Sequence, residues 1–499
     1  MYVNEARSKH IACAIDYFVG SVVEPRSHRT DAIAGKGDMS SQRLATAADE
    51  VIDGAGYVLA PGFIDVHTHD DTNVIRTPEM LPKLSQGVTT VIVGNCGISS
   101  APVQLRGEPP DPMNLLGDAS VFRYPTFAAY IAAVDAARPA VNVAALVGHT
   151  ALRNNHMDRL DRAATRGEIE AMRSQLIEAL DGGALGLSTG LAYLSANAAT
   201  IDEVLALAEP LARASGLYTT HLRSETEAII DALHEAFTVG RECRVPVVIS
   251  HLKCAGVDNW GRSGEVLQEL DAARASQPVG WDCYPYAAGS STLDLRQVDE
   301  RADIRITWSE PHPEMGGRAL KQIAGDWGMG QTEAARHLQP AGAIYHSISE
   351  DDMLRILRHP ATMIGSDGLP NDPLPHPRLW GTFPRVLGKY SRDEKLLPLA
   401  PAVHKMTGLP AARFGFTDRG LVREGYLADL VLFDPRTIRD TATFDNPVCP
   451  AEGIERVWVN GVPSYRNGIL TGHRGGRFIK RSAAITNKAF DSLQLEEHK

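Results

Sequence analysis

The stretch PGFIDVHTHDD (61–71) decides the fold. Within it, residues 63–69 are a short, mostly apolar run that ends His67-Thr68-His69. Groups at i and i+2 share one face of a strand, so the spacing predicts both imidazoles on the same side. Working outward, the same signature returns at 88–96, 142–149, 184–190, 217–223, 245–253, 279–286 and 361–368. Each run is apolar or β-branched, ends in polar residues and is usually followed by helix-like sequence. Apolar continuity predicts strands buried on both faces, as in a parallel sheet. Between them, 165–181, 201–215 and 225–239 are amphipathic at the helical period. Eight strand–helix units predict an α/β fold, a (β/α)8 TIM barrel.

The flanks differ. Residues 50–60 (EVIDGAGYVLA) predict a hairpin, and LADLVLFDP, GIERVWVNGVPSY and RNGILTG predict strands joined by turns. The expected organisation is therefore a small β-sandwich domain built from both chain ends, residues 1–60 and 418–480, with the barrel inserted at 61–417. Residues 1–45 lack clear alternation, and 481–499 are expected to be a tail. Residues 287–360, between the seventh and eighth runs, are expected to form an insert or lid over the barrel mouth.

Composition excludes several classes. Fifty basic against 61 acidic residues give a net charge of −11. A general nucleic-acid binder needs a basic surplus to neutralise phosphates, so none is expected. Cys13, Cys96, Cys243, Cys254, Cys283 and Cys449 are sparse and include no CxxC pair. A disulfide scaffold is excluded, and a reducing cytoplasmic location fits. No run approaches the roughly 18 uninterrupted apolar residues of a membrane helix. The best leader candidate, 11–23, is broken by Asp16 and followed by no small-residue cleavage pattern, so no signal peptide is expected.

In such barrels the active site lies at the C-terminal ends of the strands. The run ends can then be taken as one rim: His67 and His69, Cys96, His149, His221-Leu222-Arg223, His251-Leu252-Lys253 and Asp367. A lone histidine at a strand end is ordinarily structural. Convergence of histidines with a cysteine and an aspartate is a metal site of nitrogen, sulfur and oxygen donors, which suits Zn2+.

Beyond these residues, PGFIDVHTHDD resembles the opening strand of the amidohydrolase superfamily. GNCGISSAP (94–102), GALGLSTGLAY (183–193), HLRSE (221–225), ISHLKCAG (249–256), DCYPYAAGSST (282–292), GSDGLP (365–370) and HPRLWGTFPRVLG (376–388) resemble the D-aminoacylases, or N-acyl-D-amino-acid deacylases, within it. KMTGLPAARFG (405–415) and GYLADLVLFDP (425–435) extend the likeness, which runs from about 50 to about 465. Many amidohydrolases bridge two metals with a carboxylated lysine at the end of strand four. Here that strand ends Leu187-Ser188-Thr189-Gly190, without a lysine. In D-aminoacylases a cysteine at the place of Cys96 is a metal ligand. The resemblance thus implies a tight zinc site of Cys96, His221 and His251, and a second, weaker site of His67, His69 and Asp367.

The activity implied is hydrolysis of an N-acyl-D-amino acid, a small-molecule substrate, to a carboxylate and a free D-amino acid. A metal polarises the amide carbonyl and acidifies a water. Asp367 is expected to take the water's proton and deliver it to the leaving amine. The α-carboxylate needs a cation, and Arg378 in HPR offers a bidentate fork. Resemblance also nominates Lys253, Tyr193, Tyr284 and Ser290 as substrate contacts. An arginine near Arg296 recognises the acidic side chain in the family's N-acyl-D-glutamate deacylases, which implies that preference here. Arg223 orients the site or pairs with Glu225, and His149 is structural or touches substrate. A rival, a cyclic-amide hydrolase of dihydroorotase or hydantoinase type, is disfavoured by the missing lysine. A non-catalytic scaffold on the same fold should have lost ligands, and none is missing.

Overall fold

The computed structural model describes residues 2–3 and 50–482. All eight expected runs contain strands: Phe63–Asp65, Val88–Val93, Asn142–Ala145 with Val147–Gly148, Gly186–Gly190, Leu217–His221, Val247–Ile249, Val279–Cys283 and Thr362–Ile364. Strands one to three form one parallel sheet, and strands three to eight form another. The third strand belongs to both, because it breaks at Leu146 into two paired pieces. The remaining seam is closed between strands one and eight. There Asp367 N donates to His67 O at 2.6 Å, and His69 N donates to Gly368 O at 3.0 Å. The sheet thus returns on itself as a barrel, with β-branched residues such as Val88, Val91 and Val93 fully buried. That burial on both faces is why the apolar runs were continuous rather than alternating.

Helices follow the strands. Arg166–Gly182 starts at a capping box of Thr165 and Glu168 and stops at Gly183, whose φ of 109° suits a residue without Cβ. Ile201–Ala214 is capped by Thr200. The third amphipathic segment differs from expectation. Its helix is Ile229–Cys243, four residues later than the pattern suggested. Residues 222–228 instead form a loop, because Glu225 is drawn to the barrel rim by contacts described below.

Between strands seven and eight, Gly289–Thr292, Ala341–His346 and Asp303–Ser309 form an antiparallel sheet. Helices Leu320–Trp327 and Gln331–Leu338 close a separate core over it, with Ile304, Ile306, Leu320, Ile323 and Leu338 buried together. The insert leans on the rim through an Ala255–Ile348 bridge and through Arg296 Nη2, which donates to Ala192 O at 3.0 Å. Helix Glu350–Arg358 lies against the seventh and eighth strands. The compact insert therefore ends before it rather than at 360.

Both flanks of the barrel supply the small β-domain. Val58–Pro61 is an edge strand beside Leu430–Phe433, followed by Ile454–Val459, Val462–Arg466 and Ile469–Leu470, all antiparallel. The hairpin expected over 50–60 does not form. Glu50–Val51 pairs with Tyr2–Val3, and Val58–Pro61 pairs with residues some 370 positions later in the chain. From 475 to 482 the chain leaves this sheet and returns to the barrel, where Ile479 N donates to Val143 O at 2.7 Å. The small domain thus stops short of 480. The remaining expectations for residues 1 and 4–49 and for the tail beyond 482 lie outside the described residues. Among the described residues no helix is long and apolar enough to cross a membrane.

Candidate metal centre and active site

The strand ends bring His67, His69, Cys96, His221, His251 and Asp367 to one place. Two groups have their donor atoms mutually within 4.8 Å: His67, His69, Cys96 and Asp367, and Cys96, His221 and His251. Cys96 belongs to both. Its Sγ is 3.2 Å from His67 Nε2 and 3.3 Å from His251 Nε2, and the latter is 3.0 Å from His221 Nδ1. Asp367 Oδ1 lies 3.2 Å from His69 Nε2 and 3.4 Å from His67 Nε2. Three of these residues sit in the left-handed region that side chains with a Cβ seldom adopt: Cys96 (φ 52°), His251 (φ 37°) and Asp367 (φ 48°). Backbone strain of this kind collects where a side chain must be aimed, at a cost of order 1–3 kcal/mol each.

Electrostatics supply the anions a cation needs. Burial alone would raise the Cys96 thiol, but the charges of His67 and His251 and hydrogen bonds from His221 and His251 hold it well below its ordinary range. Burial would likewise raise Asp367, yet Arg378, His67 and His69 hold its carboxyl well below the usual carboxylate range. Burial opposes charge on His69, but its bonds to Asp367 and Cys96 raise it to about 9. Buried imidazoles gathered on a thiolate and a carboxylate, with donor atoms mutually within 4.8 Å, fit a divalent cation.

Next to Asp367 lies a buried cation. Arg378, 1% exposed, opens helix Arg378–Arg385 and lies over the Tyr284 ring at 4.6 Å. One nitrogen, Nη2, reaches Asp367 Oδ2 at 2.9 Å and Ser290 O at 3.0 Å. Its Nε and Nη1, the Tyr284 hydroxyl and the Ser290 hydroxyl have no hydrogen-bond partner among the described residues. Lys253 Nζ sits at 2.9 Å from His251 Nδ1 and pairs with Glu225 at 2.6 Å. The Tyr193 ring packs 4.8 Å from that of His221. Arg378, Tyr284, Ser290, Lys253 and Tyr193 thus lie against one another or against the donor cluster. Arg296 is about half exposed, its fork is held by Asp294 at 2.6 Å, and it donates to Ala192 O beside Tyr193.

Two strand-end residues stand outside the cluster. His149 Nε2 is bonded to Glu203 at 2.9 Å and shares that carboxylate with Arg153. Arg223 does not pair with Glu225. It forks onto Glu235 at 2.7 and 2.8 Å and donates to Asn197 O and Ala199 O. With Arg153, which donates to Ser195 O at 3.1 Å, it clamps the loop that carries Tyr193.

Sequence reasoning passed over three supporting groups. Glu225 was assigned to a helix. Asp282 touches His67 Nδ1 at 3.4 Å and accepts from His251 N at 3.0 Å. Lys83, fully buried, reaches Asp65 at 2.7 Å, Thr68 at 2.9 Å, Asp70 at 3.0 Å and Ser366 at 3.1 Å, tying strand one to strand eight. The available signal was an acid inside a buried strand, Asp65 in FID and Asp282 in VGWDC. Such a residue needs a partner.

Metal-ligand types on the C-terminal rim of a barrel, beside a small β-domain from both chain ends, define the amidohydrolase class. The sequence model described as Amidohydrolase family matches residues 50–465. Over 456 residues the chain is 51% identical to the D-aminoacylase of Alcaligenes xylosoxydans xylosoxydans, covering 91% of this chain and 93% of that one. It is 51% identical over 436 residues to the N-acyl-D-aspartate deacylase of the same organism, covering 87% of each. A crystal structure of N-acyl-D-glutamate deacylase from Bordetella bronchiseptica, complexed with zinc and a phosphonate mimic of the tetrahedral intermediate, superposes with a TM-score of 0.83 at 46% identity, covering 86% of this chain and 90% of that one. The chain belongs to the D-aminoacylase family, the N-acyl-D-amino-acid deacylases, within the amidohydrolases.

Proposed function

We propose that the chain is a zinc-dependent hydrolase that cleaves N-acyl-D-amino acids to a carboxylate and a free D-amino acid. The observation that carries this reading is the buried Arg378, with two nitrogens unpartnered, touching Asp367 at 2.9 Å beside the donor cluster. A buried, half-satisfied guanidinium is a carboxylate receptor. Arg378 anchors the substrate α-carboxylate, with Lys253, Tyr284 and Ser290 completing the cradle. That anchor sets the adjacent amide beside Asp367. Asp367 takes the proton of the attacking water and returns it to the leaving nitrogen, since an amine leaves poorly unless protonated. Zinc supplies Lewis acidity to the carbonyl and to the attacking water. Cys96, His221 and His251 would hold it tightly, and His67, His69 and Asp367 provide a second, weaker site. Handedness and zinc follow the relatives, whose names specify D-amino acids and, in the Bordetella structure, zinc. The sparse cysteines of the sequence, without a CxxC pair, support a cytoplasmic location.

The test is release of free amino acid from N-acetyl-D-glutamate, N-acetyl-D-leucine and their L-forms by zinc-supplemented protein. Hydrolysis of D-forms alone is expected. No hydrolysis of any, with metal bound, would move the reading to cyclic amides.

Arg296 is the residue assigned to an acidic substrate side chain. It is bonded to the loop that carries Tyr193, and an incoming carboxylate must share its fork with Asp294. A charge-assisted hydrogen bond contributes about 1.5–3 kcal/mol. Arg296→Leu is therefore expected to lower kcat/KM on N-acetyl-D-glutamate by roughly 10–150-fold, while N-acetyl-D-leucine is barely affected. Equal wild-type rates on both substrates, or equal losses, would remove the assignment.

A further inference from the structure

Glu225 is absent from both donor groups, yet it touches three of the working side chains. It belongs to the loop after strand five and is about a tenth exposed. Its Oε1 lies 3.0 Å from His251 Nδ1 and 2.6 Å from Lys253 Nζ, and its Oε2 lies 3.6 Å from His221 Nε2. In both histidines the opposite nitrogen is the one that faces the shared cluster. His251 offers Nε2 and His221 offers Nδ1, 3.0 Å apart. One carboxylate thus lies at the far edge of both rings, at bonding distance from His251 and in a longer, charge-pairing contact with His221.

The lysine makes this consequential. Lys253 Nζ is 2.9 Å from His251 Nδ1. An ammonium at that distance donates to Nδ1 and leaves the ring proton on Nε2, the edge that must be bare to bind a metal. Glu225 Oε1, within 3.0 Å of both nitrogens, can accept from Nδ1–H and from the ammonium alike. The imidazole then keeps its donor edge toward the cluster, and the lysine keeps a fixed place in the carboxylate cradle. Carboxylate partners of ligating histidines fix tautomer and ring orientation in this way.

We propose that Glu225 is a positioning residue that sets His221 and His251 for metal retention and at the same time holds Lys253 for the α-carboxylate. The inference rests on the zinc-dependent reading above. It joins two functions in one side chain, so its removal should weaken both together.

The experiment compares full-length wild type, E225Q and E225D. Zinc affinity is read by competition with a chromophoric chelator, and kcat and KM are measured separately under zinc saturation. Zinc affinity of E225Q is expected to fall about 10–100-fold, the range for loss of an outer carboxylate, with KM raised in the same variant and the metal-free melting temperature unchanged. E225D, which keeps the charge on a shorter stem, should recover part of both. If E225Q fails to fold, E225D carries the expectation alone, as a smaller loss in both readouts. Zinc affinity and KM in E225Q equal to wild type would overturn the inference and leave the hydrolase reading intact. Wild type that binds no zinc would overturn the hydrolase reading, and this inference with it.

Discussion

Asp367→Asn is expected to lower kcat on N-acetyl-D-amino acids by about 10²–10⁴-fold, the usual contribution of a positioned acid–base group. Asparagine is the informative replacement. Residue 367 holds a φ of 48°, and asparagine is among the few residues that enter that region readily. It also keeps the shape that Arg378 and His69 contact at 2.9 and 3.2 Å. What it loses is the capacity to hold a proton between attack and departure. Zinc content should persist, because Cys96, His221 and His251 converge without Asp367. Turnover by free amino-acid release and zinc by atomic absorption would be read on the same preparation. A kcat within tenfold of wild type would exclude Asp367 as the proton carrier. Loss of zinc in parallel would make it a structural ligand first.

Arg378 bears on the same step from the other side. Its Nη2 holds Asp367, while Nε and Nη1 are the unpartnered pair. On the proposed roles, substrate carboxylate and proton acceptor would share one cation. The chain carries a net charge of −11, yet its pocket gathers Arg378 and Lys253. Long-range attraction of an anionic substrate is not expected, and affinity must come from these short contacts.

The barrel was legible because its signal is redundant. Each strand is buried on both faces, so eight apolar runs stand out without neighbours, and polar residues at their ends fall on the rim by the geometry of the fold alone. His67, His69, Cys96, His221, His251 and Asp367 could be placed together on that rim for that reason, and their donor atoms do converge. What escaped depends on distant partners. Glu225 continues the amphipathic pattern of the following helix, and nothing local marks it. Lys253, His251 and His221, on this strand and the next, pull it out of the helix. Residues 50–60 carry hairpin chemistry, with Gly54 and Gly56 at the turn, but Val58–Pro61 finds its partner in Leu430–Phe433. Register of that kind is set by which apolar face is covered, not by the turn. Residues 475–482 escaped for the opposite reason. RGGRFIK has little strand character, and it is held by backbone bonds such as Val143 N to Arg477 O, at 3.0 Å.

Cys96→Ala is expected to abolish turnover and to lower zinc affinity by more than roughly a hundredfold, since losing an outer partner alone costs about 10–100-fold. Both donor groups pass through this sulfur, so no three-ligand subset of the tight site survives its loss. The structure also explains why sulfur stands here. Strand four is pressed against the turn that carries Cys96. A Cβ at Gly190 would lie 2.2 Å from the Cys96 carbonyl oxygen, and one at Gly97 would lie 2.7 Å from Gly190 N. Ser188 fills the remaining gap, accepting from Gly97 N at 3.1 Å and donating to Gly94 O. A long side chain on the end of strand four has no room beside that turn. The proposed anionic donor is then the Cys96 thiolate on that turn, held down by the charges of His67 and His251. Cys96→Asp separates charge from softness: aspartate enters the left-handed region that residue 96 occupies at φ 52° and restores a negative donor. It should regain part of the zinc affinity and little of the turnover. The measurements are chelator competition and amino-acid release on the same three proteins. Wild-type zinc retention in Cys96→Ala would remove the cysteine from the site, and full recovery of turnover by aspartate would show that only its charge matters.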